Sequence, residues 1–232
     1  SESGDLECRK LLICTGSRAM VPPIPGLSEA GDRILTNKEI LDLGNRPDSL
    51  VIIGGGVIGM EFASFFNTLG TKVTVIEMLP KILGPMDSEL SEMLLKTYAK
   101  KGIDFKLGCK VTGIEGGTVI YTDPDGNEYR AEGEKILVSV GRRAGLDGFG
   151  LENLSVETDR GIKVNERMET SVPGVYAAGD VTGFSMLAHT ASREGEVAVN
   201  NILGKDDRMS YRAIPGIVYT NPEVAGVGIT EE

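Results

Sequence analysis

A glycine-rich turn that joins an apolar strand to a helix constrains this chain more than any other feature. The run Leu50–Ile53 has the length and composition of a buried parallel strand. The sequence Gly54-Gly55-Gly56-Val57-Ile58-Gly59 follows at once and matches the pattern G-x-G-x-x-G. Residues 57–69 are typical of a helix, which Gly70 ends. This succession predicts a Rossmann-type dinucleotide-binding domain.

Each glycine of the motif has a separate physical role. Gly54 permits the tight turn, Gly56 lets a pyrophosphate approach the backbone, and Gly59 lets the helix pack close to the sheet. The helix N-terminus offers N–H groups and the positive end of its dipole to the phosphates. A glycine-rich turn without a ligand is the alternative. The residues that we predict to bind the dinucleotide are Gly54, Gly55, Gly56, Val57, Ile58, Gly59 and Met60.

Glu77 ends the next predicted strand, Lys72-Val73-Thr74-Val75-Ile76-Glu77. A carboxylate about 20 residues beyond the glycines hydrogen-bonds the ribose 2′-OH of NAD and would repel the 2′-phosphate of NADP. The next cation along the chain is Lys81. We therefore predict NAD as the dinucleotide, and a solvated glutamate at a strand end is the alternative.

The remaining pattern predicts an α/β fold with a small antiparallel excursion. Asp87 is a plausible N-cap for a helix that extends to Lys101, and Ile103–Leu107 is typical of a third strand. Further strands are predicted over Thr118–Thr122, Glu128–Ala131 and Lys135–Val140, of which the first two flank the turn Asp123-Pro124-Asp125-Gly126. Outside this region, the predicted elements are strands over Lys10–Cys14, Val175–Ala178 and Gly216–Val227 and a helix over Leu187–Leu203.

Charge and cysteine content narrow the class of protein. The net charge of −10 makes nucleic acid and anionic membranes poor partners. No apolar run approaches the roughly 20 residues that span a bilayer, and the chain opens without a basic region or a signal-length apolar stretch. Cys8, Cys14 and Cys109 do not form a disulfide framework, which favours a reducing cytoplasm. A strand residue is the favoured interpretation of Cys14, and a redox pair with Cys8 is the alternative.

Two flanking segments resemble the pyridine nucleotide–disulfide oxidoreductase family. Leu12-Ile13-Cys14-Thr15-Gly16-Ser17, followed by Pro22-Pro23-Ile24-Pro25-Gly26, is similar to the segment at which that family leaves its FAD domain. Thr170-Ser171-Val172-Pro173-Gly174-Val175-Tyr176-Ala177-Ala178-Gly179-Asp180 is similar to its second FAD fingerprint. The resemblance implies that Thr15, Gly16 and Ser17 contact FAD and that Asp180 binds the flavin ribityl chain.

Two further stretches resemble the dihydrolipoamide dehydrogenase branch of that family: residues 186–195 and residues 214–228. By this resemblance the first begins a helix whose N-terminal amides face the flavin, through Met186, Leu187, Ala188 and His189, and the second begins the dimerisation domain. His189 is the only histidine. The resemblance implies backbone contacts for it, since the family's catalytic histidine lies near the far C-terminus.

Three further roles follow from the resemblance alone. Val111 would lie near the adenine, and Gly141 would contact NAD through its backbone. Glu61 corresponds to a glutamate near the nicotinamide that pairs with a lysine of the FAD domain. We expect Glu61 to be unpaired because that lysine is not in this chain, and a helix-surface glutamate is the alternative.

The resemblance covers the whole chain but only the middle of the family. The chain has no first G-x-G-x-x-G, no C-x4-C pair and no C-terminal His-Glu pair. We expect an NAD-binding domain over residues 36–144, flanked by parts of an FAD domain over 1–35 and 145–205 and by the start of a dimerisation domain over 206–232.

The complete enzyme implied by the resemblance oxidises dihydrolipoamide through a disulfide and FAD to NAD⁺. It is a homodimer that serves lipoyl domains of a 2-oxoacid dehydrogenase or glycine cleavage system. We expect this chain to bind NAD(H), to bind FAD poorly without the rest of that domain, and to catalyse nothing, since a thiolate is needed for exchange with lipoamide. The alternatives are a mercuric reductase, NADH oxidase or transhydrogenase, or a non-catalytic nucleotide-binding module.

Overall fold

The computed structural model describes residue 4 and residues 7–230. The outermost parts of the segments predicted over residues 1–35 and 206–232 therefore lie outside the described residues. In chain order, the strands are β1 (Leu11–Ile13), β2 (Ser17–Ala19), β3 (Ile34–Leu35), β4 (Ser49–Ile53), β5 (Lys72–Glu77), β6 (Asp104–Leu107), β7 (Lys110–Glu115), β8 (Thr118–Thr122), β9 (Glu128–Glu132), β10 (Lys135–Val138), β11 (Arg142–Ala144), β12 (Val175–Ala177), β13 (Gly216–Val218) and β14 (Val224–Gly226). The α-helices are α1 (Val57–Thr68), α2 (Ser88–Lys100) and α3 (Ala188–Ile202).

The chain divides into two compact units. We call Ala19–Gly141 with Pro215–Glu232 the glycine-motif unit, because it contains the G-x-G-x-x-G turn. We call Ser1–Arg18 with Arg142–Ile214 the Asp180 unit. Each unit is described by itself below.

A five-stranded parallel sheet forms the centre of the glycine-motif unit, with strand order β3-β10-β4-β5-β6. Successive side chains of a strand point to opposite faces, so β4 contributes to two cores. Leu50 and Ile52 pack with α1 and α2, whereas Val51 and Ile53 pack with the antiparallel strands. Burial on both faces explains why the four buried residues of β4, Leu50–Ile53, are all apolar. The predicted α/β fold with a parallel sheet is confirmed.

The small antiparallel sheet has three strands, in the order β7-β8-β9. The two strands predicted on either side of the Asp123–Gly126 turn correspond to β8 and β9. Strand β7 was not predicted, because its sequence Lys110-Val111-Thr112-Gly113-Ile114-Glu115 is half polar and its pairing shifts register between Val111 and Gly113.

The helices of the glycine-motif unit end where the sequence predicts, to within one residue. Asp87 is the N-cap of α2, and its side chain accepts hydrogen bonds from the N–H groups of Glu89 and Leu90. Gly70 follows α1 with a φ of 87°, in the left-handed region that favours glycine. These local signals fix α1 between the phosphate turn and β5.

The C-terminal strand predicted over Gly216–Val227 is wrong in its extent. The structure has two short strands, β13 and β14, which pair antiparallel. Pro222 lies between them and has no N–H to donate to a ladder, so an unbroken strand is disfavoured. The segment therefore forms a hairpin.

In the Asp180 unit, β1 and β12 form a parallel pair in which Leu11 lies beside Val175 and Ile13 beside Ala177. One face of α3 packs on this pair and buries Val197 and Ala198. The strand β1 is shorter than the predicted Lys10–Cys14, and Cys14 lies just beyond it. Among the described residues, none of the helices has both the length and the apolar character that crossing a membrane requires.

Candidate functional site

The phosphate turn of the glycine-motif unit is fixed by two glycines that the protein itself requires. Gly54 has a φ of 109°, and a Cβ there would lie 2.2 Å from the carbonyl oxygen of Ser139. A Cβ on Gly59 would lie 2.1 Å from the carbonyl oxygen of Gly54. Both positions must be glycine for β4, the turn and α1 to pack closely.

Gly56 differs from these two glycines. It is the N-cap of α1 with a φ of −70°, which any residue adopts, and apart from its two neighbours in the chain no residue has an atom within 4 Å of the position where a Cβ would stand. Neither steric contact nor backbone strain within the protein therefore requires glycine there. An open space at the N-terminus of a helix fits a pyrophosphate that approaches the backbone, so the turn passes this test for a dinucleotide.

Glu77 lies at the end of β5, next to the phosphate turn. Its Oε2 accepts a hydrogen bond of 2.6 Å from the N–H of Gly55, and its Oε1 accepts one of 2.7 Å from the N–H of Leu79. The carboxylate is therefore held in one orientation by two backbone amides. Lys81, the next cation, donates to the carbonyl oxygen of Met86 and the hydroxyl of Ser88.

A cleft of about 600 Å³ connects the phosphate turn to Glu77. It brings together seven of the predicted nucleotide-binding residues: Gly54, Gly56, Val57, Ile58, Glu77, Val111 and Gly141. It is also lined by residues that sequence reasoning missed, among them Pro22, Ile24, Met78, Leu79, Cys109 and Lys110. Met78 and Leu79 could have been predicted, because they follow Glu77 directly in the sequence. Lys110 begins the unpredicted strand β7 and Cys109 directly precedes it, and Pro22 and Ile24 line the cleft because of the path that residues 22–24 take in the fold.

Four other predicted residues lie outside the lining of this cleft. Gly55 and Gly59 contribute to the turn, and Met60 is fully buried in the core with α2. Met60 donates its N–H to the carbonyl oxygen of Gly56, so it stabilises the first turn of α1. Glu61, which was expected to lack its lysine partner, has a backbone partner instead. Its Oε1 accepts a 2.9 Å hydrogen bond from the N–H of Tyr219, because the hairpin segment packs beside α1.

In the Asp180 unit, the structure brings two predicted flavin contacts together. The hydroxyl of Ser17 donates to the carboxylate of Asp180, although the residues are 163 positions apart. Arg142, which was not predicted, donates from Nε to the Ser17 hydroxyl at 2.7 Å and lies 4.0 Å from the Asp180 carboxylate. Thr15 donates to the carbonyl oxygen of Gly145, and Gly16 takes a φ of 71°.

The remaining predicted flavin contacts lie at the N-terminus of α3. Leu187 is the N-cap and makes no side-chain capping bond, and Met186 precedes it. Ala188 and His189, in the first turn, are exposed. The first turn of α3 has no side-chain cap, and the carboxylate of Asp180 in the same unit is partly exposed. Both features are chemically suited to polar groups of a flavin nucleotide.

Glu194 is a second ionisable residue of this unit, besides Arg142, that sequence reasoning missed. It is fully buried, and burial raises the pKa of its carboxyl, which hydrogen bonds from Tyr211 and Gly179 partly offset. The pKa of Tyr211 is also raised, first by burial and then by its hydrogen bond to Glu194. A glutamate on the buried face of an amphipathic helix was the available signal.

The cysteines show no redox pair. Cys8 and Cys14 are exposed and free, and Cys109 is buried. Burial raises the pKa of the Cys109 thiol, which makes the reactive thiolate scarce. Within residues 4 and 7–230, no group of three or more His, Cys, Asp or Glu side chains is placed to hold a metal ion.

A family model and curated relatives both match this chain. The family model "Pyridine nucleotide-disulphide oxidoreductase" matches residues 1–195. A dihydrolipoyl dehydrogenase of Acholeplasma laidlawii is 48% identical over 201 residues, which cover 85% of this chain and 59% of that protein. One of Bacillus subtilis is 41% identical over 231 residues, 97% of this chain and 48% of that protein. The chain thus spans about half the length of the curated relatives it matches.

Solved structures of similar proteins superpose on most of this chain. The HOCl-induced flavoprotein disulfide reductase RclA from Escherichia coli superposes with a TM-score of 0.87 at 27% identity, over 96% of this chain and 52% of that one. LpdA from Mycobacterium tuberculosis superposes with a TM-score of 0.83 at 30% identity, over 94% of this chain and 48% of that one.

Proposed function

Because the chain belongs to the pyridine nucleotide–disulphide oxidoreductase family, we propose that it forms the NAD(H)-binding part of a dihydrolipoamide dehydrogenase. The observation that carries the proposal is the open space at Gly56, which shares one cleft with the carboxylate of Glu77. In this proposal, residues 36–144 are the NAD-binding domain, residues 1–35 and 145–205 are parts of an FAD domain, and residues 206–232 begin a dimerisation domain.

The phosphate turn and Glu77 would bind opposite ends of the adenosine diphosphate half. The first N–H groups of α1 would bind the pyrophosphate, and Glu77 would accept hydrogen bonds from the ribose hydroxyls. Glu77 would also repel a 2′-phosphate, and Lys81 already donates to Met86 and Ser88. The arrangement therefore favours NAD over NADP. Val111 and Gly141, which line the same cleft, would contact the adenine and the nucleotide backbone.

The Asp180 unit would supply part of the flavin site. Ser17 and Asp180 are in contact and Asp180 is partly exposed, which suits a hydroxyl-rich ribityl chain. Thr15, Gly16 and the turn Met186–His189 would contribute further contacts. When bound, FAD and NAD supply the hydride exchange, and the protein's part is to bind and orient them.

The complete protein would oxidise dihydrolipoamide to lipoamide, reducing NAD⁺ to NADH with release of a proton. The supporting observation is that relatives 40–48% identical to this chain are named dihydrolipoyl dehydrogenases. We propose lipoyl domains as the partners, a homodimer as the assembly and the cytoplasm as the location. Since this chain has no C-x4-C pair, we expect it to bind NAD(H) without turning over lipoamide.

A direct titration tests the proposal on this chain. NADH fluorescence should change on binding, and NADPH should bind at least roughly tenfold more weakly, a difference of about 1.4 kcal/mol. No binding of NADH would refute the nucleotide role, and equal binding of both would refute the role of Glu77. Lipoamide reduction by the purified chain would refute the expected lack of catalysis.

A second assay addresses the substrate of the complete protein. NADH oxidation is followed with lipoamide as the acceptor, and NADPH is run in parallel. Turnover with NADH and lipoamide supports the assignment. Consumption of NADH by oxygen or mercuric ion, without lipoamide turnover, would keep the family and overturn the substrate.

A further inference from the structure

The carboxylate of Glu194 is buried in the Asp180 unit, and no role described so far uses it. Its side chain has no exposed surface. Burying a carboxyl group is costly unless hydrogen bonds compensate the loss of water. A group retained at such a cost points to a specific role, and its two hydrogen bonds indicate which.

The two oxygens of Glu194 bind different partners. Oε2 accepts a 2.6 Å hydrogen bond from the N–H of Gly179, and Oε1 accepts a 2.8 Å bond from the hydroxyl of Tyr211. Tyr211 therefore holds the carboxyl group from one side, so that the other oxygen is directed at the backbone of Gly179. The contact joins the middle of α3 to the turn after β12.

Gly179 is held on both sides of its Cα. Its N–H is bound by Glu194, and its carbonyl oxygen accepts bonds from the N–H and the hydroxyl of Thr182, at 2.9 and 3.0 Å. Its φ of 82° and ψ of −161° lie in a region that essentially only glycine adopts. A Cβ there would also approach the Cβ of Ala191 to 3.3 Å. The direction in which the chain continues to Asp180 is therefore determined.

Asp180 depends on that direction. Its carboxylate contacts the hydroxyl of Ser17, which in turn accepts from Nε of Arg142, and Arg142 also donates to the carbonyl oxygen of Ser17 at 3.0 Å. Hydrogen bonds weaken steeply with distance and angle, so a small rotation of the Gly179 peptide would disturb this cluster.

We propose that Glu194 is a positioning residue for Asp180: its buried carboxyl group holds the Gly179 amide and so sets the place of the Asp180 carboxylate beside Ser17 and Arg142. The identity of the ligand that Asp180 would meet rests on the proposed function, and the positioning itself does not. Glu194 contacts neither ligand nor reacting atoms in this role.

Nuclear magnetic resonance on the ¹⁵N,¹³C-labelled chain tests the contact first. A scalar coupling across the hydrogen bond is expected between the amide nitrogen of Gly179 and the carboxyl carbon of Glu194. Its absence in the folded wild-type chain would overturn the proposal without any variant.

Two variants then test the consequence. Glu194→Gln keeps an acceptor at the same place, whereas Glu194→Asp keeps the charge but withdraws the acceptor by one methylene. We expect the Asp variant to exchange the Gly179 amide proton at least roughly tenfold faster and to shift the Nε–H resonance of Arg142. The Gln variant should restore both. Glu196→Asp, the same change at an exposed position of α3, is the matched control.

A role confined to stability gives a different result. The Asp variant would then lower the melting temperature while the Arg142 resonance stayed in place, and this outcome would overturn the proposal. The proposal would also be overturned if the Gln variant showed the same faster exchange at Gly179 and the same shift at Arg142. The charge of Glu194, and not the position of its acceptor, would then be the cause.

A titration with FAD separates this inference from the proposed function. If wild-type chain quenches flavin fluorescence, Glu194→Asp should weaken FAD binding by roughly tenfold, or about 1.4 kcal/mol, and Glu196→Asp should not. If wild-type chain does not bind FAD, which agrees with the expected weak binding in the absence of the rest of the FAD domain, the resonance measurements alone decide the role of Glu194.

Discussion

The carboxylate of Glu77 binds the backbone N–H of Gly55 at 2.6 Å, which ties the end of β5 to the middle of the phosphate turn. The residue expected to recognise the ribose therefore also stabilises the turn expected to hold the phosphates. One substitution at Glu77 should affect both.

Glu77→Gln is expected to weaken NADH binding by about tenfold, because hydrogen bonds to charged groups are worth about 1.5–3 kcal/mol and neutral ones less. Binding of NADPH should weaken less, since the repulsion of its 2′-phosphate is removed. Fluorescence titration with both nucleotides measures the ratio. Glu89→Gln, on the exposed side of α2, is the control, and an unchanged NADH affinity in Glu77→Gln would contradict the assignment.

Gly56→Ala and Gly54→Ala should differ in their effect on folding. At Gly56 a Cβ has space and an ordinary φ, so Ala should keep the melting temperature but weaken NADH binding at least roughly tenfold, about 1.4 kcal/mol. At Gly54 a Cβ meets the carbonyl oxygen of Ser139, and the positive φ adds strain, so Ala should destabilise the unit by more than about 1 kcal/mol. Thermal melts and titration separate the two cases. Normal NADH affinity in folded Gly56→Ala would show that the open space is not a phosphate site.

Tyr98→Phe should destabilise the glycine-motif unit by about 1–3 kcal/mol, since buried polar groups lose their partner. The Tyr98 hydroxyl is buried, donates to the hydroxyl of Ser64 and accepts from the N–H of Asn221, so it joins both helices to the hairpin segment. Urea unfolding gives the change in free energy. Tyr219→Phe removes an exposed hydroxyl and is the control. An equal loss of unfolding free energy in both variants would show that the buried hydrogen bonds of Tyr98 are not its cause.

Asp207→Asn should destabilise the Asp180 unit at neutral pH and much less in acid. Hydrogen bonds from Arg193 and then Asn200 lower the pKa of Asp207 to about 2. Because the folded pKa lies below the unfolded value of about 3.9, the stabilisation is present above that value and is lost as the pH falls towards 2. The urea midpoints of wild type and variant should therefore differ at pH 7, differ less at pH 3, and converge only as the pH falls towards 2. Glu152→Gln, an exposed acid of the same unit, is the control, and a difference independent of pH would contradict the mechanism.

The sequence predicted best where a local rule decides the structure. The strand before Gly54, the helix after Gly56 and the N-cap at Asp87 each follow from side-chain size or hydrogen bonding within a few residues. Strand β7 has no such signal, because it is stabilised by pairing with β8 rather than by its own composition.

The candidate site shows the same limit. Gly54, Glu77 and Val111 were predicted and line one cleft, but Pro22 and Lys110 come from segments whose path is set by tertiary packing. Arg142 and Glu194 were missed because their partners, Ser17 and Gly179, are defined only once distant segments meet. The pairing of Glu61 with Tyr219 likewise depends on where the hairpin packs.

The pairing of β1 with β12 has a consequence for the order of folding. Every residue from Ala19 to Gly141 lies between these two strands in sequence, and those residues form most of the other compact unit. Closing so long a loop costs entropy before the strand contacts repay it, whereas the β4–β5 pair closes a much shorter one. During synthesis, the glycine-motif sheet should therefore assemble while β12 has not yet been made.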